Sequence, residues 1–155
     1  MRTKTGIRSP SFVGLAPSSE ASARAKRANT ARDTLPELNL RRALQRLGLR
    51  YKTNCQNLPG HPDIVFQYAK VAVFCDGDFW HGRNWSQLRA KLQRRFNAPY
   101  WTAKIAANRA RDKITGRSLR QLGWCVVRLW ETDIKRDPDA VAFQVKRLLR
   151  DRSQR

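Results

Sequence analysis

Two short apolar runs, Ile64–Phe66 and Val71–Cys75, lie four residues apart and are bracketed by acids: Asp63 opens the first, and Asp76-Gly77-Asp78 follows the second. Runs this rich in β-branched and aromatic residues are too apolar for surface loops, and they predict adjacent strands in a core, joined by the short link Gln67–Lys70. The polar residues beside them, Asp63, Asp76, Asp78 and, beyond Phe79-Trp80, His81, are therefore expected where strands emerge from the core. Metal sites are built at such places.

The charge balance sharpens this expectation. The chain has 32 Lys+Arg against 12 Asp+Glu, a formal net charge of +20, and between Glu37 and Glu131 its only acids are Asp63, Asp76, Asp78 and Asp112. Basic residues run through the whole chain, so the folded domain itself is expected to bind a polyanion, nucleic acid first. A chain selected only to hold phosphates would gain from losing those acids, because each repels phosphate nearby. A divalent cation shared between carboxylates and a DNA phosphate would reconcile acid and base in one site.

With 155 residues and 41% hydrophobic content, one globular domain is expected over residues 31–152, preceded by a disordered basic arm over residues 1–30 rich in Ser, Ala, Arg, Lys and Thr. No apolar run approaches the ~20 residues of a membrane span, and no signal-peptide core is seen, which predicts a cytoplasmic protein with no membrane partner. Cys55, Cys75 and Cys125 are too few and too scattered for a disulfide framework and are expected to be reduced.

Order should begin at Asp33-Thr34, a helix N-cap followed by Pro36 and Glu37, with Leu38, Leu44 and Leu47 facing inward and Gly48 ending the helix. Strands are expected at Leu49–Thr53, Asp63–Phe66 and Val71–Cys75. A basic, partly helical stretch Arg83–Asn97 precedes a helix from about Tyr100 to Leu122, a buried strand Trp124–Trp130, and a last helix capped by Asp137-Pro138 with Val141, Val145, Leu148 and Leu149 inward. The expected order is α-β-β-β-α-β-α.

Pro36-Glu37, Leu40–Leu44, Leu58-Pro-Gly-His-Pro-Asp63, Val73–His81, Trp101…Lys104-Ile105…Asn108…Arg111-Asp112, Gly123-Trp124 and Trp130-Glu131 occur in this order in these elements. Over about residues 24–150 the chain thereby resembles the Vsr family, the very short patch repair endonucleases of the restriction-endonuclease-like PD-(D/E)xK class. The resemblance implies an α/β fold, a mixed central sheet flanked by helices, and a monomer in the bacterial nucleoid that nicks double-stranded DNA at a T·G mismatch, in association with a cytosine-5 DNA methyltransferase system. It implies that Asp63 and the carbonyl of Cys75 ligate Mg²⁺, that His81 is the general base with Asp112 orienting it, and that Glu37 is a water-mediated or more distant metal group. Phe79, Trp80 and Trp101 would form a wedge entering the base stack, with Arg83, Lys104 and Asn108 also at the DNA. Family members commonly carry a structural zinc, but here the corresponding places hold Asp78, Gly82, Arg83 and Thr132, so none is expected. At Asp76 relatives have His or Asp, and an acid there can be a second metal ligand or hold a water near the phosphate.

Each residue also has a plainer reading: an acid opening a strand, a loop histidine, an acid on a helix face, aromatics in a core. A homing- or restriction-type nuclease would use the same Glu37, Asp63, His81 and Asp112, and a non-catalytic nucleic-acid-binding protein would need none of them.

Overall fold

The computed structural model describes residues 6–8, 10 and 32–154, and the basic arm expected over residues 1–30 lies outside them apart from four positions. Helix α1 (Leu35–Arg46) starts at Thr34 with Pro36 in its first turn. Glu37 reaches back to accept from the Asp33 N–H at 3.0 Å and the Thr34 hydroxyl at 2.9 Å, which ties the chain entering the helix to its first turn. Gly48, at φ +71°, lies just past its end. Its buried face is Pro36, Leu40, Ala43 and Leu44, with Leu47 only partly covered. Leu38 lies off that stripe and stays half-buried.

The strand expected at Leu49–Thr53 is not formed. Lys52 exchanges one pair of backbone hydrogen bonds with Val65, both 2.8 Å, and nothing extends the ladder. Alternate residues of this segment face solvent, and Asn54 at φ +56° turns the chain away. The sheet therefore has three strands among the described residues, β1 (Ile64–Phe66), β2 (Val71–Asp76) and β3 (Cys125–Trp130), in the order β1-β2-β3. β1 and β2 form the antiparallel hairpin that the two apolar runs predict, and β2 and β3 run parallel, so the sheet is mixed.

Between β2 and β3 the chain makes α2 (Trp85–Leu92) and the long α3 (Ala98–Gln121). A short helix with no forewarning in the sequence, α4 (Glu131–Arg136), follows β3 directly, and α5 (Pro138–Ser153) is capped by Asp137, which accepts from the Ala140 N–H at 2.9 Å. Val141, Val145 and Leu149 of α5 are buried as expected, with Leu148 partly so. β3 is half-buried along its whole length rather than buried.

Strand alternation separates two faces. Val71, Val73, Cys75, Cys125, Val127 and Leu129 belong to the core shared with α1, α4 and α5. Ala72, Phe74 and Val126 pack with Leu119 of α3 on the other side. Asp76 and Arg128, in phase with Phe74 and Val126, fall on that α3 side. The three cysteines are free.

Candidate active site

The hairpin places Asp63 one residue before β1. Its N–H donates to the Val73 carbonyl at 3.0 Å, and its Oδ2 accepts from the Cys75 N–H at 2.7 Å, so the carboxylate is fixed against β2. Oδ1 accepts none of the hydrogen bonds found among the described residues. Burial, with further contributions from the charges of Glu37 and Asp76, pushes the Asp63 pKa up to about 6. A carboxylate held in this way is short of positive charge.

The approach to Asp63 depends on Gly60. Its φ is +75°, and a Cβ there would lie 2.2 Å from Thr115 Cγ2 on α3, so only glycine lets the loop lie against that helix. On the far side of the cleft, α3 presents Asp112, whose Oδ2 lies 2.7 Å from His81 Nδ1. An ionised carboxylate accepts, so Nδ1 carries a proton, and in the neutral ring it is Nε2 that keeps its lone pair. Burial pulls the His81 pKa down, but the hydrogen bond to Asp112 and the charges of Asp76 and Asp112 outweigh it, and the net shift is upward.

The loop between β2 and α2 is tied down at several points. Asn108 donates to the Trp80 carbonyl at 2.8 Å and Arg109 to the Gly82 carbonyl at 3.0 Å, so α3 holds both flanks of His81. Asp78 takes the Thr132 hydroxyl at 2.5 Å, and its N–H donates to Glu131. Arg83 pairs with Asp133 at 3.1 Å and Asp78 at 3.6 Å while lying over the Trp130 ring. Asp78 thus links Thr132 and Arg83 beside the loop.

Phe79, Trp80 and Trp101 form one half-exposed cluster, with ring centroids 5.2 to 5.8 Å apart. Tilted and edge-on arrangements of this kind hold aromatic rings together without burying them fully. Lys104, on the same helix as Trp101, is half-exposed.

A cleft of about 560 Å³ is lined among others by Glu37, Asp63, Cys75, Asp76, Trp80 and His81. Glu37 is 3% exposed and engaged by Asp33, Thr34 and Arg41. Asp76 is as deeply buried, with both oxygens on Arg128 Nη1 at 2.8 and 2.7 Å. The sequence offers a single sign of Arg128, a lone charge within the otherwise apolar Cys125–Trp130, and its part in the site emerges only from the fold.

The donors around the cleft are carboxylates, which suit a hard divalent cation. Asp76, His81 and Asp112 offer ligand atoms within 4.8 Å of one another, and Asp63 lines the same cleft as Asp76 and His81. The residues fit a metal ion.

A mixed three-stranded sheet flanked by helices, with an acid at the head of its hairpin, is consistent with the restriction-endonuclease-like fold. The family model described as DNA mismatch endonuclease Vsr matches residues 18–87. The chain is 42% identical over 125 residues to the type II nicking enzyme V.NmeDIP of Neisseria meningitidis serogroup C, covering 80% of this chain and 82% of that one. It is 35% identical to the type II nicking enzyme V.HpaIIP of Haemophilus parainfluenzae, covering 82% and 89%, and 32% identical to the DNA mismatch endonuclease Vsr of Escherichia coli K12, covering 70% and 68%. The protein belongs to the Vsr family and is a DNA endonuclease. Among the described residues no helix is long and apolar enough to cross a membrane.

Proposed function

We propose that the protein nicks one strand of duplex DNA at a T·G mismatch, the product of 5-methylcytosine deamination, in a Mg²⁺-dependent hydrolysis that starts very short patch repair. The observation that carries this reading is the Phe79–Trp80–Trp101 cluster set directly beside the His81–Asp112 pair. Apolar wedges part base steps at a cost of a few kcal/mol per step, and a mismatched step is easier to open, so the cluster favours cleavage where pairing is already weak.

Asp63, the Cys75 carbonyl and Asp76 are the groups that would hold Mg²⁺, which when bound supplies charge stabilisation at the scissile phosphate. His81 Nε2 takes a proton from the attacking water. Water oxygen bonds to phosphorus as the bond to the 3′ oxygen breaks, leaving a 5′-phosphate and a 3′-hydroxyl. Asp112 keeps the imidazole in the tautomer this requires, and its charge stabilises the imidazolium that results. Glu37 lines the metal side of the cleft, and Lys104, Asn108 and Arg83 lie on elements that frame the aromatic cluster.

The test is strand nicking on duplexes that differ only in a T·G or matched pair, with Mg²⁺ and with chelator. Nicking of the T·G duplex alone, lost with chelator, is expected. Equal cutting of matched DNA would turn the reading to a restriction- or homing-type nuclease, and tight binding without cleavage would turn it to a binding protein. Context comes from the methyltransferase expected to act in the same system: its recognition sequence should be the preferred one.

A further inference from the structure

We infer that Arg128 is a positioning residue for the reaction: its guanidinium, anchored on Asp76 and stacked on Phe74, holds the Asp112 carboxylate in the orientation that fixes His81. This rests on the proposed roles of His81 and Asp112 and adds a residue to them.

The sheet itself delivers the arrangement. Phe74 is the cross-strand partner of Arg128 in the parallel β2–β3 register, and the guanidinium carbon lies 4.5 Å from the centre of its ring. Asp76, two residues along β2 on the same face, receives Nη1 at 2.7 and 2.8 Å. Nη2 is then free to reach α3, where it meets Asp112 Oδ1 at 3.1 Å. The other oxygen of Asp112 holds His81 Nδ1 at 2.7 Å. Four groups from two strands, a loop and a helix thus form one chain, Asp76–Arg128–Asp112–His81.

A planar guanidinium can engage two carboxylates at once along fixed directions, which a lysine ammonium cannot do with the same geometry. Asp76, 4% exposed at its side chain, would be costly to leave charged without this partner. Asp76 also approaches His81 Nδ1, at 3.8 Å, so it competes with Asp112 for the ring. By occupying both oxygens of Asp76, Arg128 settles that competition in favour of Asp112. Asp76 accordingly serves first as the seat of Arg128.

The experiment compares Arg128→Gln and Arg128→Lys with the parent protein in three measurements: kcat and KM for nicking, thermal unfolding, and long-range ¹H–¹⁵N spectra of the His81 ring in metal-free protein. At a pH above the upward-shifted His81 pKa, the parent should show the Nδ1–H tautomer. Arg128→Gln should lower kcat by about 10- to 100-fold, the range typical when a partner that orients the ligands of a metal site is removed, with KM nearly unchanged and His81 in mixed tautomers. Arg128→Lys should keep the fold and fail to restore kcat. A folded Arg128→Gln with parental kcat or an unchanged His81 tautomer, or full recovery by lysine, overturns the inference. Should Arg128→Gln not fold, Arg128→Lys carries the comparison alone: parental kcat with an unchanged His81 tautomer in that variant overturns the inference. If the parent does not nick the T·G duplex, the functional reading fails separately, and the His81 tautomer still decides the role of Arg128.

Discussion

The face of the sheet under α1 and α5 is covered by a broad apolar cluster that includes Leu40, Leu44, Phe66, Val73, Ile134 and Val145. The face under α3 holds the smaller apolar cluster of Ala72, Phe74 and Leu119 and then gives way to Asp76, Arg128 and Asp112. The same two strands supply both, since successive residues point to opposite sides. One face can therefore hold the fold together while the other carries charges that a core would not tolerate.

That division can be broken most sharply on the α3 side. His81→Ala and Asp63→Ala should each cut nicking by roughly 10³-fold or more, as expected for loss of a general base or a metal carboxylate, with DNA binding and thermal unfolding close to the parent. Near-normal turnover in either would remove the assigned chemistry. Leu40→Ala, on the opposite face and fully buried, should instead lower stability by about 2–5 kcal/mol in urea unfolding while each folded molecule retains its turnover. A loss of turnover without a loss of stability would mean that the faces are not separable.

Asp112→Asn keeps the shape of the orienting group and discards its charge. Its effect should fall between, about 10²-fold in kcat, within the range that proton-transfer catalysis spans. Trp80→Ala should reduce the preference for mismatched over matched duplex by several-fold and leave the salt dependence of binding alone, because stacking reads a deformable step and not counterions. Unchanged preference would return Trp80 to a packing role. The smallest effect is expected from neutralising the exposed Arg89, Arg94 and Arg95: affinity for all DNA falls, and the slope of log K against log salt flattens by about one unit for every phosphate that no longer meets a cation. Arg83 is less suitable for this test, since its charge is engaged by Asp78 and Asp133.

Much of this architecture is legible locally. The hairpin follows from two apolar runs and a short link, and α5 from Asp137-Pro138 and a helical apolar stripe. Leu49–Thr53 misleads because strand-like composition does not ensure a partner: the segment has only Val65 to pair with and solvent on its other side. Arg128 is hidden for a different reason. Its proximity to Asp76 and Asp112 exists only through the parallel register Phe74↔Arg128, set by two elements far apart in the chain with α3 between them. No sequence period reports such a register. The aromatic cluster is readable as residues, but its assembly requires the start of α3 to come against the loop after β2.

Gly60 gives the site a gauge. Because a single methyl group at that position would collide with Thr115, the distance between the chain segment bearing Asp63 and the helix bearing Asp112 is set by the thickness of a hydrogen atom. Any substitution there should act as a shim, widening the gap between the two halves of the cleft without touching a charged group, so that each half stays intact while the phosphate they must grip together no longer spans them.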